Sequence, residues 1–203
     1  MKFKIGKREQ KDLFISWITI SIAFAIMFLM PALNISSIPF VLIVSLFAVG
    51  TGFILHELAH KYMAIKYGCH AEFRAWSQGL IFAIILPIIT LGTVLFAAPG
   101  AVYIHGPHIN NKQNGIISLA GPATNIILSI LFFIIGFASA NLLIKEVFII
   151  SAQINAFLGF FNLLPVFVLD GAKVFKWDIK VWLLAILIAG LLSFAPKLVF
   201  FFL

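Results

Sequence analysis

One short run of this chain, His56-Glu57-Leu-Ala-His60, combines residues that could do chemistry. Residues four apart in a helix lie on one face, so the two imidazoles can each offer a nitrogen to the same metal ion. Glu57 follows about 100° further around the helix, close enough to act on a ligand of that ion. Two histidines and a glutamate at this spacing are typical of a hydrolytic zinc site with two ligands and a general base.

The surroundings of this run favour a metal. No ionisable side chain lies between Asp12 and His56, and an ionised residue at the centre of a bilayer costs on the order of 2.5–3.5 kcal/mol on insertion scales. A divalent cation would compensate the negative charge of Glu57. The alternative is that the run lies near the cytoplasmic end of its helix, partly hydrated, where Lys61 pairs with Glu57.

A catalytic zinc ion needs a third protein ligand and one open position. Of the seven acidic residues, Asp170 stands apart because it ends a long apolar run and precedes Gly171. The remaining candidates lie before the first apolar run or in polar segments: Glu9, Asp12, Glu72, Glu146 and Asp178. We therefore predict Asp170 as the third ligand; the alternative is that Asp170-Gly171 marks a turn at a helix end.

Two further sets of polar residues allow two interpretations each. Asn125 lies in Gly121-Pro122-Ala-Thr-Asn125, which is either a functional element or a helix kink whose asparagine bonds a neighbouring helix. His70, His105 and His108 lie in polar connections. They are either auxiliary metal ligands or pH sensors, or solvated loop residues.

The composition excludes an ordinary soluble domain. Hydrophobic residues make up 63% of the 203 residues and charged residues 10%, with a mean hydropathy of +1.13, whereas soluble domains average about 45–50% and about 25%. The net charge of +7 comes from basic residues between apolar runs, where they set membrane orientation rather than bind nucleic acid. The single cysteine, Cys69, excludes an internal disulfide.

Polar segments separate six apolar regions: 13–33, 40–67, 79–98, 116–144, 147–169 and 181–203. The basic segments at the N-terminus, around Arg74 and around Lys173 belong in the cytoplasm by the positive-inside rule. An even number of crossings must then separate Arg74 from Lys173. We predict that the region with Pro87 and Gly92 is re-entrant, entering and leaving by the same face; the alternative is that it crosses.

These segments predict an all-α polytopic membrane protein, a single membrane-embedded domain over 1–203 with about five to six transmembrane helices and a re-entrant segment. Candidate short β-strands near the cytoplasmic face are 71–76 and 101–104. We expect a multi-pass protein of a prokaryotic cell membrane, with a cytoplasmic N-terminus and the active site near the cytoplasmic side.

Three spaced motifs, covering about 53–174, resemble the site-2 protease family of intramembrane zinc metalloproteases, in a minimal form without PDZ or CBS domains. They are His56-Glu57-x-x-His60, Gly121-Pro122-x-x-Asn125 and Asn162-x-x-Pro165-x-x-x-Leu169-Asp170-Gly171. The resemblance implies one zinc ion (Zn2+) per chain, held by His56, His60 and Asp170. It also implies that Glu57 is the catalytic base and that Asn125 helps to hold the substrate carbonyl.

The predicted function is hydrolysis of peptide bonds within or near transmembrane segments of membrane-protein substrates, by a zinc-activated water with Glu57 as general base. The expected partners are transmembrane proteins or peptides and the lipid bilayer, with no nucleic acid. Because a helical substrate must unwind, an edge of either candidate strand could receive it. Two alternatives are a divalent-metal transporter, which should show repeats with paired broken helices, and a structural metal site, which normally has four ligands.

Overall fold

The computed structural model describes residues 3–32, 34–96, 98–106, 109–166 and 168–202. This part of the chain is mostly helical, with seven helices, two strands and two short 3-10 turns between the first two helices. The elements are α1 (Lys7–Leu29), α2 (Ile38–Lys66), β1 (His70–Ala75), α3 (Ser77–Ile89), β2 (Gly100–His105), α4 (Asn111–Ala138), α5 (Leu142–Asn162), α6 (Asp170–Trp177) and α7 (Ile179–Phe202).

Four of the described helices are long and apolar enough to cross a membrane: Lys7–Leu29, Ile35–Lys66, Asn111–Ala138 and Leu142–Asn162. The second of these is α2 together with the turn before it. Each of the four exposes large apolar side chains, among them Phe14, Ile43, Ile127 and Leu143. Water-soluble surfaces do not carry apolar patches of this extent. The chain is therefore a multi-pass membrane protein, as the composition predicts.

One predicted boundary is wrong. The charged pair at 145–146 predicts a turn there, whereas the turn in the structure lies between α4 and α5, over 139–141. Asn141 caps α5, because its Oδ1 accepts the backbone N–H of Ile144 at 3.1 Å. A side-chain cap satisfies an amide that the helix itself cannot satisfy, and this outweighs the local charge pattern.

The core lies where α1, α2, α5 and β1 meet. Phe24, Val49, Phe53, Phe73 and Ile154 are each at most 5% exposed and pack in one cluster. α4 packs on both α2 and α5. This packing brings the polar residues of α4 onto the face of α2 that carries the two histidines.

β1 and β2 form a two-stranded antiparallel sheet, which confirms the two strands predicted from the sequence. The last pair of the sheet joins Ala75 to Gly100. The backbone N–H of Trp76 then donates to the carbonyl of Pro99 at 2.7 Å. The segment between the two strands therefore begins and ends at the same place in the molecule.

That segment packs along α1 and turns back beside the end of α1. α3 forms its first arm, and the turn after α3 contains Leu91 and Gly92 with φ angles of 50° and 81°. A Cβ on Gly92 would lie 2.6 Å from the carbonyl oxygen of Met27, near the end of α1. The left-handed φ and the close approach both require glycine here.

A buried ion pair joins the start of α1 to α2. The ammonium of Lys61 donates to Oε2 of Glu9 at 2.6 Å, and the two side chains are 3% and 1% exposed. Oε1 of Glu9 also accepts the backbone N–H of Phe73 in β1 at 3.1 Å. Lys61 donates a second bond to the carbonyl of Lys4 at 2.6 Å. Because these charge-assisted bonds are buried, they fix α2 to the N-terminal segment and to the sheet.

Replacing one partner of this pair would leave the other charge buried and unpaired, which costs about 3–5 kcal/mol. We expect Glu9→Gln and Lys61→Met each to lower the midpoint of thermal unfolding in detergent, and the double variant to lose less than the sum of the two. The control is Glu72→Gln, which breaks the more exposed pair with Arg74 and should have a small effect. Equal losses in the three single variants would contradict the role given to the buried pair.

Candidate metal centre

The three predicted metal ligands lie together in the structure. Oδ2 of Asp170 is 3.3 Å from Nε2 of His56 and 3.0 Å from Nε2 of His60. The two Nε2 atoms are 3.0 Å apart. Ligand atoms of a tetrahedral zinc ion lie about 2.0–2.1 Å from the metal, which places them about 3.3 Å from one another. The three donor atoms therefore form one face of a tetrahedron of the size that zinc requires.

Hydrogen bonds turn both imidazoles toward this point. Nδ1 of His60 faces the backbone carbonyl oxygen of Ile117 at 2.7 Å, and Nδ1 of His56 faces Oδ1 of Asn125 at 2.6 Å. In a neutral imidazole with hydrogen on Nδ1, Nε2 carries a lone pair. Two lone pairs and a carboxylate oxygen then face one another with no hydrogen between them, and a bound cation stabilises such an arrangement.

Gly121 in α4 leaves open the space beside the donor atoms. A Cβ at this position would lie 2.5 Å from Nε2 of His56 and would also contact Nε2 of His60. The donor set and the space beside it fit a zinc ion with three protein ligands and one open position. Among the described residues, His56, His60 and Asp170 are the group whose ligand atoms could hold such an ion.

A pocket adjoins the donor atoms. Glu57 is 7% exposed and lines this pocket together with the three ligands. β2 contributes Gly100, Val102 and Ile104 to the wall, and α5 contributes Asn162. Glu57 thus lines the space beside the donor atoms, which the predicted role of general base requires.

Asp170 reaches the histidines from the first position of α6, directly after the turn that follows α5. α5 ends three residues before Pro165, earlier than the sequence predicts. Proline has no N–H to donate, and in a helix its ring clashes with the carbonyl four residues before it, so Pro165 favours an end to the helix here. α6 begins at Asp170, and Gly171 packs so closely on the carbonyl group of Leu163 that a Cβ would overlap it. The Asp170-Gly171 pair therefore both begins a helix and presents a carboxylate to the histidines.

The structure does not support Lys61 as the partner of Glu57. Lys61 instead donates to Glu9, on the side of α2 that faces α1. Successive residues of a helix point about 100° apart, so Lys61 and the neighbouring His60 meet different parts of the molecule.

His70 and His105 are not part of the donor set. His70 in β1 has a side chain that is 58% exposed, and its Nε2 lies 3.2 Å from Oε1 of Glu72. The hydrogen bond from His70 holds the pKa of the Glu72 carboxyl below its ordinary value. His105 is exposed and pairs with His70 across the sheet. His108 lies outside the described residues.

Asn125 is fully buried, and its amide is bonded on both sides. While Oδ1 faces His56, Nδ2 donates to the carbonyl of Gly52 at 3.1 Å and to Oδ1 of Asn155 at 3.2 Å. A contact with a substrate carbonyl would require Nδ2 to release one of these bonds. Asn155 is not among the residues predicted from the sequence, although a strongly hydrogen-bonding amide inside an apolar helix is a signal for it.

Gly121→Ala would place a methyl group against both ligand nitrogens. Because alanine favours helix over glycine, we expect α4 to be retained while zinc affinity falls about tenfold or more, as when the surroundings of a metal are disturbed. Competition with a chromophoric chelator measures the affinity. Gly190→Ala in α7 is the control, because its Cβ would lie 3.5 Å from Phe160, an ordinary contact. Unchanged affinity in Gly121→Ala would contradict the placement of the metal.

Comparison with known proteins adds independent evidence. The model of peptidase family M50 matches residues 137–182, which include the motif from Asn162 to Gly171. A provisionally named zinc metalloprotease of Methanocaldococcus jannaschii is 44% identical over 181 residues, which cover 89% of this chain and 90% of that protein. A provisionally named zinc metalloprotease of Bacillus subtilis is 30% identical over 61% of this chain and 64% of its own length.

A further protein of M. jannaschii, named zinc metalloprotease, is 29% identical over 61% of this chain but only 30% of its own length. No solved structure gives a significant match. The first relative matches along nearly the whole of both chains, and the family model covers the segment that supplies Asp170. The chain therefore belongs to peptidase family M50, the site-2 protease family, and is a zinc metalloprotease.

Proposed function

We propose that this protein is an intramembrane protease that hydrolyses peptide bonds within or near the transmembrane segments of other membrane proteins. We base this on one observation: His56, Glu57 and His60 lie inside α2, one of the helices that are apolar enough to cross a membrane. Each of the three is at most 7% exposed. A hydrolytic centre enclosed in this way acts on a peptide segment that enters the helix bundle.

In the proposed topology the site lies near the cytoplasmic face, on the same side as the N-terminus. α1 and α2 form one hairpin, α4 and α5 form a second, and α7 supplies a fifth crossing. The segment between β1 and β2 is re-entrant in this proposal, and the bond between Trp76 and Pro99 at its two ends supports this. Lys66, Arg74 and Lys173 lie on the connections assigned to the cytoplasm, as the positive-inside rule requires.

For the reaction, His56, His60 and Asp170 are assigned as ligands through Nε2, Nε2 and Oδ2. A zinc ion held there would supply Lewis-acid chemistry, for the activation of a water molecule and the polarisation of the scissile carbonyl. Glu57 takes a proton from the attacking water and later delivers it to the leaving amine. The buried walls of the pocket limit access by bulk water, which strengthens these electrostatic effects.

Asn162 is better placed than Asn125 to contact a substrate carbonyl. Both asparagines line the pocket, but Asn162 is half-buried and donates only one N–H of Nδ2, to the carbonyl of Leu158 at 2.9 Å. An asparagine amide has a second N–H. We therefore assign to Asn162 the carbonyl contact that the resemblance implies for Asn125.

We also propose that the substrate unwinds and pairs with the free edge of β2. The N–H of Phe73 points away from β2 toward Glu9, so Phe73 and Val102 form a non-hydrogen-bonded pair of the sheet. The N–H and C=O of Val102 therefore point away from β1, toward the edge that lines the pocket. An extended peptide paired at this edge would pass beside Glu57.

Glu57→Gln keeps the shape of the side chain but cannot accept the proton of water. We expect the variant to retain one zinc ion per chain, while cleavage of a membrane-spanning reporter in proteoliposomes falls by about 10²–10⁴-fold. Metal analysis and gel electrophoresis measure the two quantities. Glu146→Gln, at an exposed position in α5, is the control and should cleave normally. Undiminished cleavage by Glu57→Gln would exclude the assigned base.

Val102→Pro removes the edge N–H without removing a bond between the two strands. We expect kcat/KM for a membrane-spanning substrate to fall about tenfold, the size of one hydrogen bond of about 1.4 kcal/mol, with zinc content unchanged. Val102→Ala is the matched control, because it shortens the side chain and keeps the N–H. If the two variants lose activity equally, substrate pairing through this backbone group is excluded.

A further inference from the structure

Three membrane helices meet at a chain of buried amides behind His56. Asn125 of α4 and Asn155 of α5 are both 0% exposed. Nδ2 of Asn125 donates to Oδ1 of Asn155 at 3.2 Å and to the carbonyl of Gly52 in α2 at 3.1 Å. Gly52 permits this approach, because a Cβ there would lie 2.6 Å from Oδ1 of Asn155.

Backbone carbonyls determine the orientation of both amides. A carbonyl oxygen only accepts hydrogen bonds, so the atom of Asn155 that faces the carbonyls of Ser151 at 2.9 Å and Ala48 at 3.4 Å must be its nitrogen. The oxygen of Asn155 is then turned toward Asn125. Asn125 must turn its nitrogen to that oxygen and to the carbonyl of α2, so its own oxygen faces His56.

An oxygen 2.6 Å from Nδ1 of His56 requires this nitrogen to be the donor. Nδ1 therefore carries the hydrogen, and in the neutral imidazole Nε2 keeps the lone pair that faces the other donor atoms. We propose that Asn125 is a positioning residue that fixes the tautomer and ring orientation of His56, and that Asn155 fixes Asn125. This inference rests on the proposed function, because it requires the lone pair of Nε2 to bind zinc.

The test compares two substitutions of Asn125. Asn125→Leu removes the acceptor at similar volume, and zinc affinity, measured by chelator competition at fixed pH, should fall about 10–100-fold. Asn125→Asp keeps an acceptor oxygen for Nδ1, as in carboxylate–histidine–zinc sites, and should retain most of the affinity. Asn155→Leu acts one step further away and should weaken binding by a smaller factor.

Ser129→Ala is the matched control, because Ser129 is equally buried on α4, four residues after Asn125. This variant should bind zinc as the wild type does. If zinc affinity falls as far in Ser129→Ala as in Asn125→Leu, the proposal is overturned, since any disturbance of α4 would then be enough to weaken zinc binding.

Turnover at saturating zinc separates positioning from contact with the substrate. If Asn125 positions His56, excess zinc restores most of the kcat of Asn125→Leu, with KM for the substrate unchanged. Normal zinc affinity with a low kcat at every zinc concentration would overturn the proposal in favour of a substrate contact. A wild-type protein that binds zinc but cleaves no membrane-spanning substrate would be a different result, which counts against the proposed function.

Discussion

A polar group without a partner is costly inside a membrane-embedded bundle, and this constraint shapes the metal centre. Two imidazole nitrogens and one carboxylate oxygen lie within 3.3 Å of one another. Such a cluster of acceptors is stable with a cation among them, provided that each imidazole keeps its hydrogen on the far side. The hydrogen bonds behind both histidines meet this condition.

α4 supplies most of the groups that meet this condition. Within 117–125 it supplies a carbonyl to one histidine, an amide to the other, and the empty space beside Gly121. The sheet forms the opposite side of the pocket. Glu9 bonds one edge of the sheet and Lys61 of α2, while the other edge lines the pocket. The structure thus separates the residues assigned to hold the metal from the strand proposed to hold the substrate.

The sequence predicts the three side chains that the structure brings together, because ionisable residues in apolar segments have few possible partners. His56 is predicted from its helical spacing to His60, and Asp170 is predicted because the other acidic residues are excluded. The turn near 145–146 is predicted wrongly because charge does not show where a cap such as Asn141 forms. The burial of Glu9 and the partners of Asn125 depend on contacts between helices that are distant in sequence. No local sequence pattern predicts such contacts.

X-ray absorption at the zinc edge of the purified protein tests the metal centre most directly. We predict a first shell of nitrogen and oxygen atoms at about 2.0–2.1 Å, without sulfur. Outer-shell scattering should show two imidazoles. A sulfur atom at about 2.3 Å, or imidazole scattering that persists when His56 and His60 are both replaced by alanine, would contradict the assignment of these two histidines and Asp170 as the ligands.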